Sequence, residues 1–316
     1  MSNYVVTGAG PVGWTVADQL ATEGNSVRVL TRSGSGPDLP GIERVRLDVS
    51  DPRQLKDALD GAEAVFHCIH GSAYRTFAWE AELPKAEQVV LKAAKDAGAV
   101  VVFPESLYSY SHPDEVMDED SPRTATGGKR GVRTRLLKER RESGAVTVSV
   151  VASDFYGPRV RMSHAGERVV PRVLAGQTIR PVGNADVPHS FTYVPDLAAA
   201  MIAAARREDL WNSVLHAPTT AAPTQRGIAR EFARAAGVPE PRIKPIPGWM
   251  VRALGTVSVG MRELAEMLYQ FENPFIMDST RSEALLGLEP TPLSEGAAAT
   301  VDWWKAARAA APKIVQ

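Results

Sequence analysis

A short apolar run, Tyr4–Thr7, ends in Gly8-Ala9-Gly10-Pro11-Val12-Gly13, and a helical pattern follows at once. That is a strand, a tight glycine turn and a helix N-terminus. Such a turn lets backbone N–H groups and the positive end of the helix dipole meet a pyrophosphate. Gly8, Gly10, Pro11, Val12 and Gly13 are therefore dinucleotide-binding candidates. Three bare glycines alone would be weak evidence, but here the flanking strand and helix patterns are both present. The second strand ends at Leu30-Thr31-Arg32-Ser33. An NAD-specific site usually has Asp or Glu here to hold the ribose 2′-hydroxyl. Arg32 can instead pair with a 2′-phosphate, which favours NADP(H) over NAD(H). An ordinary solvated arginine is the alternative.

Asp48 and Val49 follow the third strand, where a carboxylate can accept the adenine amino group or merely begin a helix. Cys68, Ile69 and His70 end the fourth, beside the cofactor crevice of such a sheet. His67 and His70 have no partners at ligand spacing, so no metal site is expected. Cys68 reads as a small buried residue.

The elements that must position these residues alternate. Strands are expected at Tyr4–Thr7, Ser26–Thr31, Arg44–Leu47, Ala64–Ile69, Ala99–Phe103 and Thr147–Ala152. Helices are expected at Val12–Glu23, from Asp51-Pro52 to Leu59, at Thr76–Ala97 with a break or kink at Pro84, and at Val132–Glu142. Repeated strand–helix units imply a parallel sheet with helices on both faces. The rhythm changes after about Phe155. Helices are then expected at Val194–Arg207, Thr224–Ala236, Met261–Tyr269, Thr280–Leu286 and Leu293–Ala311, with one more strand at Ser213–His216. The fold class is α/β: a Rossmann-type doubly wound parallel sheet with a smaller, mostly helical C-terminal substrate domain. Residues 1–155 form the dinucleotide-binding domain, with 190–217 packing back onto it. Residues 156–189 and 218–316 form the substrate domain.

The 316 residues suffice for a large core. A formal net charge of -1 gives no global attraction to nucleic acid or to an anionic membrane, so neither is expected as a partner. One cysteine excludes an intramolecular disulfide. No leader of basic and apolar residues precedes the first strand, and no apolar run is long enough to span a bilayer. A cytoplasmic setting is expected.

With these segments placed, the chain resembles the NAD(P)-dependent epimerase/dehydratase family, the extended short-chain dehydrogenases/reductases. The matching stretches are Val6-Thr7-Gly8-Ala9, Leu47-Asp48-Val49-Ser50-Asp51, Asp60-Gly61-Ala62-Glu63-Ala64-Val65, Phe103-Pro104-Glu105-Ser106, Ser153-Asp154-Phe155-Tyr156-Gly157-Pro158 and Phe191-Thr192-Tyr193-Val194-Pro195-Asp196-Leu197-Ala198. They run over nearly the whole chain. The glycine loop is one residue shorter than the extended form and looks like that of the atypical branch. The resemblance implies hydride transfer assisted by a Ser or Thr and a Tyr-x-x-x-Lys pair, with Ser106 at the serine position. It implies nucleotide sugars as the default substrate and pairing of two chains through the helices after the fourth and fifth strands, hence a homodimer.

The tyrosine of that pair is missing. No tyrosine lies between Tyr110 and Tyr156, and the nearest frame is Lys129-x-x-x-Arg133. Residues four apart share a helix face, so both can point into the crevice. A lysine desolvated beside a guanidinium can exchange a proton near neutrality. Lys129 and Arg133 are thus catalytic candidates, with Arg133 taking the lysine's usual role on the cofactor ribose. A basic helix start that meets only phosphate or solvent is the alternative.

Tyr108 and Tyr110 are rival proton donors, and Ser106 would polarise a carbonyl or alcohol oxygen. Tyr74, Trp79, Tyr110, Arg180 and His189 are candidate substrate contacts, and each can equally be a packed or solvated residue. Glu263, Glu266, Tyr269 and Gln270 form a polar set on a C-terminal helix that salt bridging explains as well as a ligand does. Two functions follow. One is an NADP(H)-dependent oxidoreductase or epimerase acting on an alcohol or carbonyl carbon of a small molecule. The other is an NADP(H)-binding sensor that has lost the chemistry.

Overall fold

The computed structural model describes residues 2–310. In chain order it contains β1 (Asn3–Thr7), α1 (Pro11–Thr22), β2 (Ser26–Thr31), β3 (Ile42–Arg46), α2 (Pro52–Ala58), β4 (Ala64–His67), α3 (Thr76–Ala97) and β5 (Val100–Ser106). Then come β6 (Val116–Met117), α4 (Gly128–Glu142), β7 (Thr147–Ala152), β8 (Asp154–Tyr156), α5 (Val170–Leu174), β9 (Phe191–Tyr193), α6 (Val194–Ala205) and β10 (Val214–His216). The chain continues through α7 (Gln225–Ala236), α8 (Gly248–Gly255), α9 (Val259–Ala265), α10 (Tyr269–Glu272), β11 (Ile276–Met277), α11 (Thr280–Leu286) and α12 (Leu293–Ala310).

Seven strands make one parallel sheet in the order β10-β7-β5-β4-β1-β2-β3. The order reverses between β1 and β4, which is where ligands bind in open sheets of this kind. Both faces are covered over β1, β4, β5 and β7, whose residues are almost all buried, whereas the edge strand β3 is charged and partly exposed. Val6, Val16, Leu20, Val102 and Met201 lie in the core under α1 and α6. Val5, Leu55, Val65, Val90 and Val101 lie in the core under α2 and α3. A separate apolar cluster joins α5, α7 and α12 through Val173, Phe232, Val301 and Trp304.

Three expectations need correction. The third strand starts two residues earlier than Arg44, because Ile42–Arg46 pairs in register with Val27–Thr31. Pro84 does not break α3, which is helical over its full 22 residues. The buried face of Trp79, Leu83, Glu87, Val90 and Leu91 outweighs one missing N–H. The helix placed at Met261–Tyr269 is really α9 and α10 with a turn between them, and α8 precedes them. The last residue expected in the C-terminal helix, Ala311, lies outside the described residues. Among the described residues no helix is long and apolar enough to cross a membrane.

Candidate functional site

The glycine turn is shaped by close approach. Gly8 has φ 88°, in the region that favours glycine. A Cβ on Gly13 would sit 2.1 Å from the Gly8 carbonyl oxygen and 3.1 Å from the Cys68 Cβ. Gly10 faces open space, and it begins α1 with no side-chain cap. The first N–H groups of α1 are therefore free for an anionic ligand, the feature that fits a dinucleotide pyrophosphate. Cys68 lies beneath this turn, where burial pushes its thiol pKa up. His67 is buried with Nδ1 2.8 Å from the Thr7 hydroxyl. Val49 is buried too, with Val5 and Leu30 in the same cluster.

Asp48 accepts from the Ser50 N–H at 2.9 Å and the Ser50 hydroxyl at 2.7 Å. Those bonds hold its carboxyl below the usual range, and Arg32 adds to the effect. The cap of α2 is Asp51, not Asp48. Arg32 is exposed, and its carbonyl accepts from Arg46 Nε at 3.1 Å. Thr31 and Arg46 are register partners across β2 and β3. Arg46 is thus a second guanidinium beside Arg32, which local sequence reading missed because the two are neighbours only across the sheet.

Ser106 ends β5. Its N–H donates to Glu105 Oε1 at 2.8 Å, and its hydroxyl lies 3.4 Å from the same oxygen. Glu105 is buried and meets Arg140 at 2.8 Å and Arg133 at 3.4 Å. Glu87 completes this buried cluster at 2.6 Å from Arg140. Tyr108 follows on a short helical turn, with its phenolic oxygen 2.9 Å from that of Tyr74. Burial raises the Tyr108 pKa to about 12, and the Asp154 carboxylate acts in the same direction.

Trp79 is buried at the centre of this aromatic group. Its ring is 14° from parallel with Tyr108 and meets His70 and Tyr74 edge-on. The Arg133 guanidinium lies 4.9 Å from the Trp79 ring centre. Arg133 Nε is buried with no hydrogen-bond partner among the described residues.

Lys129 and Arg133 share the buried face of α4, but they do not form the expected proton-exchanging pair. Lys129 Nζ donates to the Glu263 carboxylate, to the Glu263 carbonyl at 3.3 Å and to Glu266 Oε2 at 2.8 Å. The face of Tyr74 lies 4.8 Å away. Each of the three ammonium protons therefore has an acceptor. The backbone explains the approach: Gly127 and Gly128 both have positive φ, and a Cβ on Gly128 would meet Glu266 Oε1 at 2.1 Å. Burial works against the Glu263 carboxylate, but the Lys129 bond and charge hold its pKa low. The polar set near residue 265 thus divides. Glu263 and Glu266 clamp Lys129, whereas Tyr269 and Gln270 lie on α10. The Tyr269 hydroxyl and both Gln270 amide atoms are buried without protein hydrogen-bond partners among the described residues.

Three substrate candidates lie elsewhere or are already engaged. Tyr110 is fully buried among Leu107, Met117 and Phe275, with its hydroxyl on His216 Nε2, so it is a packed aromatic. His189 is buried with Nδ1 2.9 Å from the Gln270 carbonyl and Nε2 2.9 Å from Asp154 Oδ2. It orients Asp154 and has no free nitrogen. Arg180 is exposed and makes no hydrogen bond or ion pair with the tyrosine cluster among the described contacts. Asp154, like Arg46, is a candidate that the sequence reading did not single out. Burial would raise its carboxyl, but the His189 bond and the neighbouring His164 and His189 hold it low.

Residues 4–213 match the NAD dependent epimerase/dehydratase family. The chain belongs to that family. The protein y4nG of Sinorhizobium fredii is 23% identical over 211 residues. That match covers 63% of this chain, and the chain spans about half (52%) of that relative's length.

Among solved structures, Bordetella bronchiseptica WbmH in complex with NAD+ superposes with a TM-score of 0.75 at 19% identity, over 96% of this chain and 98% of that one. MoeE5 in complex with UDP-glucuronic acid and NAD gives 0.76 at 23%, over 97% and 100%. The UDP-N-acetylglucosamine 4-epimerase of Bacillus cereus gives 0.75 at 17%, over 96% and 97%. At these identities the likeness establishes the fold.

Proposed function

We propose that the chain is an NADP(H)-dependent oxidoreductase or epimerase acting on an alcohol or carbonyl carbon of a small polar molecule, with Tyr108 in place of the missing tyrosine. The observation that carries this reading is the Tyr108–Tyr74 hydroxyl pair at 2.9 Å, two residues beyond Ser106, beside a Lys129 whose three ammonium protons are all donated to Glu263 and Glu266. Ser106 holds the substrate oxygen by a hydrogen bond. Tyr108 delivers the proton to that oxygen in the reducing direction, and Tyr74 can replace it along the hydroxyl pair. A phenol with a pKa near 12 keeps its proton at neutral pH, so it serves better as an acid than as a base.

The dinucleotide supplies the hydride when bound. Gly8–Gly13 and the start of α1 hold its pyrophosphate. Arg32 and Arg46 receive the 2′-phosphate. The orphaned Nε of Arg133 donates to the nicotinamide ribose. Asp154, Tyr269 and Gln270 meet the rest of the substrate, where Gln270 and Tyr269 gain the partners they lack in the protein.

The test is NADPH oxidation with a panel of aldehydes and ketones, read for wild type, Tyr108→Phe and Lys129→Met. Turnover that survives Lys129→Met and collapses in Tyr108→Phe supports the reading. Tight nucleotide binding with no turnover on any substrate would favour the sensor instead.

A further inference from the structure

The segment 241–262 combines charge and exposure in an unusual way. It contains Arg242, Lys244, Arg252 and Arg262 and no acidic residue. Within it, Trp249 is 66% exposed and Val257 85% exposed. Met250 and Leu254 are exposed as well. At 100° per residue, Trp249, Met250, Ala253, Leu254 and Val257 project within about 140° of one another, forming one stripe along α8 and its end. The opposite side of α8 is the packed one: Val251 sits in the cluster with Val182, Leu268 and Phe271. The outward stripe is therefore a second apolar face, left in water by the fold.

We propose that this stripe is a docking surface for an anionic lipid bilayer, lying in the headgroup layer without crossing it. The choice of occupant rests on charge. Arg242 and Lys244 are exposed and form no ion pair among the described residues. The carboxylates on neighbouring elements are engaged: Glu272 by Arg252, Glu263 and Glu266 by Lys129, and Glu240 by Arg230. An apolar stripe containing tryptophan, preceded within seven residues by two cations that form no ion pair among the described residues, is the composition of an interfacial helix. Protein partners of the same shape would need their own acidic rim, and a second copy of this chain would place these cations against one another. The overall charge of -1 conceals this local segregation. The surface is independent of the reaction assigned above.

The experiment is co-sedimentation of the full chain with vesicles of phosphatidylcholine alone and of phosphatidylcholine with phosphatidylglycerol. Binding is expected only to the mixed vesicles, and it should weaken as salt is raised. Arg242→Gln and Lys244→Gln should each weaken it on the order of fivefold. Trp249→Ser with Leu254→Ser should abolish it while the chain still unfolds cooperatively with a small shift in Tm, since both side chains are exposed. Absence of wild-type binding to the mixed vesicles would overturn the proposal. So would undiminished binding of the Trp249→Ser/Leu254→Ser chain, or a stable wild-type dimer that this variant converts to monomer.

Discussion

Glu266 grips Lys129 at both ends. Oε1 accepts the Lys129 backbone N–H at 2.7 Å, and Oε2 accepts Nζ at 2.8 Å. One carboxylate just past α9 thereby holds the start of α4 and neutralises its buried lysine. Thr76 joins from α3, donating its N–H to Glu263 Oε2 at 3.1 Å and its hydroxyl to Glu266 Oε2 at 3.2 Å. Three distant segments meet on one ion cluster. Removing both carboxylates, as Glu263→Gln with Glu266→Gln, leaves a buried unpaired ammonium and should cost about 3–5 kcal/mol in urea unfolding. Lys129→Met should cost less, because the freed carboxylates border solvent.

The same cluster sets an acid limb. Glu263 has a folded pKa below its ordinary value, so its contribution is complete above the unfolded pKa of about 4.3 and is lost as pH falls through the lower folded value. Stability measured against pH should therefore drop below about pH 4.5. Subtracting the Lys129→Met curve from wild type should isolate a component with that sign. An identical drop in both chains would remove Glu263 as its source.

Tyr108 and Tyr110 are two residues apart but should separate cleanly. Tyr108→Phe should lower kcat by about 10²–10⁴, the usual size of a lost proton donor, with KM little changed. Tyr110→Phe should leave turnover intact and lose about 1–3 kcal/mol of stability, since it strands His216 in the core. Steady-state kinetics and denaturant unfolding on both variants check this. Equal kinetic loss in the two would contradict the assignment.

The dinucleotide end offers a binding test. Arg32→Ala and Arg46→Ala should each weaken NADP+ by roughly 10–100-fold and leave NAD+ nearly unchanged, as expected for charged hydrogen bonds of about 1.5–3 kcal/mol. Gly13→Ala should weaken both nucleotides, because its Cβ would lie 2.1 Å from the Gly8 carbonyl and the turn must open. Calorimetric titration of each variant with each nucleotide gives the answer. An Arg32→Ala chain that loses NAD+ and NADP+ alike would remove the 2′-phosphate role.

Arg140 should be one of the more sensitive positions outside the nucleotide site. It bridges Glu87 and Glu105 in the core, and Glu105 in turn holds the Ser106 N–H. Arg140→Ala leaves the buried Glu87 carboxylate without its ion-pair partner and Glu105 with Arg133 alone, and should cost about 3–5 kcal/mol. Thermal unfolding checks the stability loss. A lowered kcat in whatever fraction remains folded would show that the network also positions Ser106.

Much of this was legible locally. The strand–turn–helix at Gly8–Gly13, the boundaries of β2 and β7 and the glycine ends of α3 and α7 follow from apolar spacing and turn residues, which act over a few positions. That no Tyr-x-x-x-Lys string occurs was equally plain, because it concerns residue type and spacing alone. Pro84 misled because local propensity says nothing of the packed face that overrides it.

The sequence by itself determined the sheet class, the glycine-rich turn between β1 and α1 and the lack of any Tyr-x-x-x-Lys string. Only the tertiary structure decided what Lys129 does. Its partners lie 134 and 137 positions away along the chain, and no period or motif connects them. The same holds for Arg46 beside Arg32, for His189 bound to Asp154 and for the withdrawal of Tyr110 into the core. A side chain's type sets what chemistry it can offer. Whether that chemistry is available depends on which acceptors the rest of the chain brings within about 3 Å of it.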